Sequence, residues 1–518
     1  MMNNRSTPLL GRSPKALIAA VVLAIVHQYL FYGHVLGVSY PIFIILFYAF
    51  MYHLANDRMR APTPFGWLLL IVNLMLSMTY VLFNNSFFYV LNVLVIPPLI
   101  FIHMSYMLSA RRIEWWKIRI IQDALDHLFV QSTRHFPTVF KVIRLSTFRR
   151  MNKQRKGVMS KVLLGLVIAL PFLVIVINLL ASADGVFNSL LSGVPGWLDQ
   201  LSYSESVLRL IWVIIFGFLF FGYLWGFIKQ KTYDWEKRAQ AAKAQLRTDS
   251  EAAALTVQSS YQIDPIIMAT VLIAFNAVYV LFVVVQFTYL FGAGQGILPE
   301  GSSYAEYARS GFVELIAVSI INFAIMMITL VFGSAQGQSA LKKLNNAMLY
   351  ILVGCSFVML YSAYMRLTLY EDTFGYTYIR FLVHAFMLFL AILLIIAGFR
   401  IHYARIPLTK CYIVLGLISY VMMNYIGMDR IIASNNIERF RESGKIDVNY
   451  LTDLSTDATP LLIHFAQKEY PELQESLRNQ QTDLWRDSNR AWPSFNLSHY
   501  RAERALNRYF EEEITKSH

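Results

Sequence analysis

The chain has 518 residues, of which 56% are hydrophobic and 15% charged, with a mean hydropathy of +0.47. Soluble domains carry about 25% charged residues, so this composition excludes an ordinary soluble domain and points to an integral membrane protein. The net charge of +13 does not signal nucleic acid, because the positive residues gather beside apolar runs rather than in aromatic-interleaved motifs. Anionic lipid is the expected partner. Cys355 and Cys411 lie within or at the end of apolar runs, which gives neither a disulfide framework nor a thiol metal site.

A spanning helix needs about 20 mostly apolar residues, because 1.5 Å per residue must cross about 30 Å of hydrocarbon. By that measure spans are expected at 16–35, 38–54, 64–83, 87–108, 162–182, 207–228, 265–290, 311–332, 347–366, 380–399 and 410–428. The fold class is therefore all-α, a polytopic membrane bundle of eleven transmembrane helices with a small helical tail. The first run follows Lys15 without a small-residue cleavage pattern and reads as an uncleaved span.

Lys and Arg in short flanking loops mark the cytoplasmic side. Arg5, Arg12 and Lys15 place the N-terminus inside, and every second connection thereafter is basic. Arg58 and Arg60, Lys342 and Lys343, and Arg400, Arg405 and Lys410 fall inside, whereas 183–205 has no Lys or Arg and falls outside. The chain divides into a four-span unit at 1–109, a basic segment at 110–161, a seven-span core at 162–428 with a cytoplasmic helical loop at 229–263, and an extracytoplasmic tail at 429–518.

Within 110–161, Trp116, Ile120, Ile121, Ala124, Leu125 and Leu128 recur at helical spacing, and Phe136, Val139, Phe140 and Ile143 repeat the pattern. Two amphipathic helices at the headgroup level are expected. Arg111, Arg112, Lys117, Arg119, Arg149, Arg150, Lys153, Arg155 and Lys156 are the expected contacts to anionic lipid. Setting the topology is the plainer role for the same charges.

Ionisable residues near the bilayer are costly, and on the outer side they gather in three connections. The first is Tyr304-Ala-Glu-Tyr-Ala-Arg-Ser-Gly-Phe leading to Glu314, with Glu306 and Arg309 three apart. The second is a polar hairpin from Arg366 to Arg380 that carries Tyr370, Glu371 and Tyr376; the third lies just beyond the last span, with Asp429, Asn436 and Arg439. Brought together, the arginines would take phosphate or carboxylate, and the acids and tyrosines would orient a polar head. Interfacial snorkelling is the competing role for the same residues. His27, His34 and His53 have no acidic partner at ligand spacing, no His-Glu-x-x-His occurs, and a lone membrane histidine such as His384 reads as a bundle hydrogen-bonding residue. No metal or cofactor is implied.

The segments Tyr304-Ala-Glu-Tyr-Ala-Arg-Ser-Gly-Phe, Arg366-Leu-Thr-Leu-Tyr-Glu, Asn436-Ile-Glu-Arg-Phe and Leu454-Ser-Thr-Asp-Ala-Thr-Pro resemble a bacterial family of polytopic membrane proteins described as a domain of unknown function. The resemblance covers roughly the second half of the chain. It implies a cytoplasmic-membrane protein and brings no catalytic residues with it. The expected function is binding of an envelope lipid or a polar ligand at the outer cluster, with a protein partner at the same face as a further possibility. The sequence leans against an enzyme; transfer from a lipid-linked donor is the enzymatic form. A transporter or flippase would need more ionisable residues at mid-span, and a scaffold would use the basic segment and the tail as docking surfaces.

Overall fold

A computed structural model describes residues 7–109, 114–147, 165, 203–231, 264–293, 312–332, 339–487 and 491–517. Among these residues every regular element is helical. Among the described residues nine helices are long and apolar enough to cross a bilayer, so the chain is a multi-pass membrane protein. Of the two other expected spans, 38–54 is an apolar helix of 16 residues, shorter than the nine, and 162–182 lies outside the described residues. The chain forms two compact units, 1–237 with 485–500, and 238–484 with 501–518.

In the first unit, α1 (Thr7–Phe31) packs along α7 (Tyr203–Ile228), and α2 (Ser39–Leu54), α3 (Pro64–Leu82) and α4 (Ser86–Leu108) follow in series. Small side chains allow the first contact: Ala16, Ala20 and Ala24 form a buried stripe on α1, and Gly217 of α7 faces Ala24. In lipid, which supplies no hydrophobic drive between helices, such close backbone approach is what holds helices together.

The basic segment contains the two expected helices, α5 (Arg119–Leu125) and α6 (Phe136–Thr147), joined by a π-helical stretch at Asp126–Gln131 and one turn at Ser132–Arg134. They do not simply lie on the headgroups. Ile120, Ala124, His127, Ser132, His135 and Val139 are buried, and the segment packs on α7. The sequence Gly222-Tyr-Leu-Trp-Gly226 makes room: a Cβ at Gly222 would meet the Ser132 carbonyl oxygen at 2.6 Å, and one at Gly226 would meet His127 Cε1 at 2.9 Å. Ile118, Ile121, Leu125 and Phe129 remain exposed, so the segment has a second apolar face turned away from the protein.

One end of this unit gathers the cations: Arg12 pairs with Asp57, Arg58 Nη2 donates to the Ile228 carbonyl at 3.1 Å, and Lys231 meets Arg134. The opposite end is tied by residues 492–496. Trp492 Nε1 donates to Tyr29 Oη at 3.0 Å, Val38 N donates to the Phe495 carbonyl at 3.0 Å, and Asn496 Nδ2 donates to the carbonyls of Tyr80 and Phe83 at 2.9 and 2.8 Å.

The second unit is built around α10 (Ser339–Phe374), which packs against α8 (Pro265–Ala293), α9 (Phe312–Phe332) and α11 (Tyr378–His402). Its core includes Leu272, Met326, Leu352, Met359, Ala363, Leu367 and Leu394. Then follow α12 (Leu408–Tyr425) and the tail helices α13 (Met428–Ser443), α14 (Val448–Thr452), α15 (Thr459–Lys468), α16 (Gln474–Asp487) and α17 (Leu497–Ser517). In this tail Arg441 grips Glu469 with two bonds of 2.9 and 2.7 Å, and Phe440, Phe465 and Tyr470 form an aromatic cluster.

Candidate functional site

The polar hairpin expected over Arg366 to Arg380 is much shorter. At about 1.5 Å per residue, the 36 residues of α10 exceed the hydrocarbon thickness. Its last turns, carrying Arg366, Tyr370, Glu371 and Asp372, are therefore helical, and only residues 375–377 form a loop. Polarity here does not mark the end of the helix.

Gly375 ends α10 in the left-handed region, φ +88°, and its N–H returns to the Glu371 carbonyl at 2.7 Å. Asn436 of α13 then clasps the loop as a strand would: Tyr376 N donates to Asn436 Oδ1 at 2.9 Å, and Asn436 Nδ2 donates to the Tyr376 carbonyl at 2.8 Å. A Cβ at position 375 would stand 2.8 Å from Asn436 Oδ1, so both the close approach and the backbone angle require glycine.

Arg439 caps the carboxyl end of α10, Nε donating to the Asp372 carbonyl at 2.8 Å and Nη2 to that of Thr373 at 2.6 Å, while Nη1 reaches the Lys445 carbonyl at 3.2 Å. A cation suits this end of a helix, where the last carbonyls lack partners. Arg380 donates to the Gly375 carbonyl and lies over the Tyr370 ring, 4.2 Å from its centroid. Tyr378 Oη donates to Asp429, which also accepts Ser455 N at 3.1 Å, and Tyr378 N donates to Tyr450 Oη at 2.8 Å. Tyr376 Oη donates to Asp372 Oδ1 at 3.2 Å; burial first, and the Asp372 charge next, push its phenol up to about 12.

One pair stands apart from this bracing. Glu371 is 3% exposed, and its Oε2 lies 2.9 Å from His384 Nε2. Tyr364 meets the imidazole edge-on at 4.5 Å, and His384 Nδ1 is buried without a hydrogen-bond partner. Tyr364 and Glu371 are seven apart on α10, and Arg380 and His384 four apart on α11, so each pair shares one helix face.

The structure thus brings together Tyr370, Glu371, Tyr376, Arg380 and Arg439 at one end of the second unit, with Arg366 half-buried below them on α10. Glu314 is exposed in the first turn of α9. Glu306 and Arg309 lie outside the described residues, as do Arg111, Arg112, Arg149, Arg150, Lys153, Arg155 and Lys156; Lys117 and Arg119 are exposed and pair locally with Glu114 and Asp123. Among the described residues no group of His, Cys, Asp and Glu is placed to hold a metal ion.

Two pairings were not read in the sequence. His384, expected as a bundle hydrogen-bonding residue, finds its partner Glu371 only across the short loop. In the first unit His103, 1% exposed, takes part in a buried network: Tyr48 Oη is 2.9 Å from its Nδ1, and Asn73 Nδ2 donates to that hydroxyl at 3.1 Å. Its distance from any sequence-adjacent polar partner left no local signal.

A family model described as a domain of unknown function, DUF4153, matches residues 70–465. The match begins inside the third expected span, so it is wider than the second half marked by the quoted motifs. No curated protein and no solved structure matches the chain.

Proposed function

The chain belongs to the DUF4153 family, a domain of unknown function, and on that premise we propose that it binds the polar head of an envelope lipid, or a similar polar ligand, at the outer end of its second unit. The observation that carries this reading is the Glu371–His384 pair. Arg380, Arg439, Asn436 and Asp429 are occupied in holding the loop and the tail, as their hydrogen bonds show. The Glu371 and His384 side chains hold neither a loop nor a cap, yet a buried carboxylate meets a partly buried imidazole whose Nδ1 is buried without a hydrogen-bond partner. Buried ionisable groups in membrane helices are costly and mark functional sites by default. Arg366, Tyr370 and Tyr376 flank the pair and would orient the head, and Glu306, Arg309 and Glu314 are the further residues assigned to this end.

In this reading the protein sits in a bacterial cytoplasmic membrane with its N-terminus inside and its tail outside. The support is the charge asymmetry of each unit: Arg58, Lys229 and Lys231 share one end of the first, and Lys342, Lys343 and Arg400 one end of the second.

The test is native mass spectrometry of protein extracted from its own membranes. Glu371→Gln and His384→Ala, each inserted and folded normally, are expected to lose a bound lipid or small molecule that the natural chain retains. Identical adduct patterns in all three proteins would sink the proposal.

A further inference from the structure

A second charged site lies at the basic end of the first unit, where the chain leaves α7. Lys231 Nζ donates to the Arg134 carbonyl at 2.6 Å and to Thr138 Oγ1 at 2.8 Å, which leaves one ammonium proton uncommitted. The backbone of Lys231 is fixed from both sides: its N–H donates to Gln131 Oε1 at 3.2 Å, and its carbonyl accepts Arg134 Nη1 at 2.8 Å. The π-helical stretch at Asp126–Gln131 sets Gln131 for this contact, and the Gly222 and Gly226 notches bring the stretch onto α7. Such π segments are frequent at functional sites.

Lys141, on the helix that carries Thr138, and Lys229, two residues before Lys231, are both exposed. The Lys231 ammonium is held below the usual lysine range by burial first, then by the charges of Lys141 and Lys229. Beside it the buried His135 is kept neutral, its pKa lowered to about 4 by burial and then by Lys231. Among the described residues none of Lys141, Lys229 and Lys231 forms an ion pair with a carboxylate. Arg58, donating to the Ile228 carbonyl, and Lys229 suit the carboxyl end of α7. That role does not account for Lys231, whose ammonium serves the neighbouring segment instead.

We propose that Lys231, with Lys229, Lys141 and Arg134, forms a site for the phosphate of an anionic phospholipid headgroup. Lys141 lies one helical turn from Thr138, which the Lys231 ammonium bonds, and Lys229 is two residues before Lys231, so three lysines share one neighbourhood, a charge arrangement that a phosphate neutralises. The source is lipid rather than free phosphate because of the segment that builds the site. Ile118, Ile121, Leu125 and Phe129 on the same segment are exposed and apolar, the arrangement of an interfacial helix whose second face enters the acyl boundary. The site also follows directly on the last residue of an apolar membrane-length helix, Leu208–Ile228. It is independent of the outer Glu371–His384 site, and it rests on the orientation argued above only for which leaflet supplies the lipid.

The full chain in neutral detergent is titrated with phosphatidylglycerol, with phosphatidylcholine and with inorganic phosphate, following thermal unfolding and the lipid retained in native mass spectrometry. Phosphatidylglycerol alone is expected to raise the unfolding midpoint. Lys231→Gln and Lys141→Gln are each expected to weaken its binding about fivefold, the share of one juxtamembrane cation near an anionic leaflet. Lys15→Gln, which removes an exposed charge of the same unit outside the site, should leave binding unchanged. Equal loss in all three variants would mean diffuse attraction and overturn the site. An unchanged response in Lys231→Gln and Lys141→Gln, or a response to inorganic phosphate equal to that of the lipid, would overturn it as well. Lys141 is exposed, so its variant keeps the test valid if Lys231→Gln fails to fold.

Discussion

Gly375 and Asn436 should behave as one device, and the size of their coupling follows from the geometry. Asn436, 8% exposed, makes three bonds with its amide, to Tyr376 N, the Tyr376 carbonyl and the Ile432 carbonyl, at 2.9, 2.8 and 3.0 Å. At about 1 kcal/mol net per bond, discounted because Tyr376 is only half-buried and can find water, Asn436→Ala should cost about 2 kcal/mol. Gly375→Ala meets two penalties. The left-handed backbone costs about 1–2 kcal/mol, and the new Cβ, 2.8 Å from Asn436 Oδ1, pushes the amide aside and forfeits most of its bonds. In a chain that already carries Asn436→Ala the second penalty is absent. Gly375→Ala should then cost about 2 kcal/mol less than it does in the natural chain, a coupling well above the roughly 0.5 kcal/mol within which independent sites add. The reporter is Cys355, 7% exposed on α10, in a Cys411→Ser background. Its reaction with a thiol dye across a denaturing-detergent titration gives the unfolding free energy of the second unit. Additive costs would refute the shared contact.

Two further outcomes are expected. His127 and His135 are both held near a pKa of about 4, chiefly by burial. The unfolded chain therefore takes up protons between about pH 6.5 and 4 that the folded chain does not, and stability, full above about 6.5, falls as the pH drops through that window. His127→Gln with His135→Gln should flatten the profile of the unfolding midpoint; an unchanged slope would assign the pH dependence elsewhere. For the topology, a cysteine replacing the exposed Ser434 of α13 in a cysteine-free chain should react with a membrane-impermeant maleimide on intact cells, and one replacing the exposed Lys343 of α10 only after lysis. The reverse pattern would invert the assigned orientation.

The spans were legible because crossing hydrocarbon imposes a length and an apolarity that few other structures require. Nine expected spans match membrane-length helices, with boundaries shifted by several residues at the ends of α10 and α11. The end of α10 was not legible for the same reason. From Arg366 onward the residues turn polar, and a helix longer than the hydrocarbon requires has no need of apolar residues on every face of its last turns. Reading that stretch as loop also hid the pairing of Glu371 with His384. An antiparallel pair joined by residues 375–377 brings Glu371 opposite His384, whereas a fifteen-residue hairpin fixes no register. The Gly222-Tyr-Leu-Trp-Gly226 spacing was visible in the sequence, but small residues four apart reveal close packing without naming the partner. That Ser132 and His127 fill the two notches depends on the chain folding back through the π-helical stretch.

The hydrogen bonds around the loop 375–377 narrow the chemistry that a ligand at the proposed site can have. Every arginine nitrogen on Arg439 faces a backbone carbonyl, and Arg380 is shared between the Gly375 carbonyl and the Tyr370 ring. An anion taken by these two groups would have to strip the cap from α10 and release the loop that Asn436 clasps. The groups that carry none of this bracing are the Glu371 carboxylate, the His384 imidazole and the Tyr364 ring. A carboxylate beside an imidazole accepts hydrogen bonds more readily than it attracts a second anion. The proposed site at Glu371 and His384 therefore favours a head rich in hydroxyl or amino groups, whereas the phosphate site proposed in the other unit gathers ammonium groups rather than carboxylates.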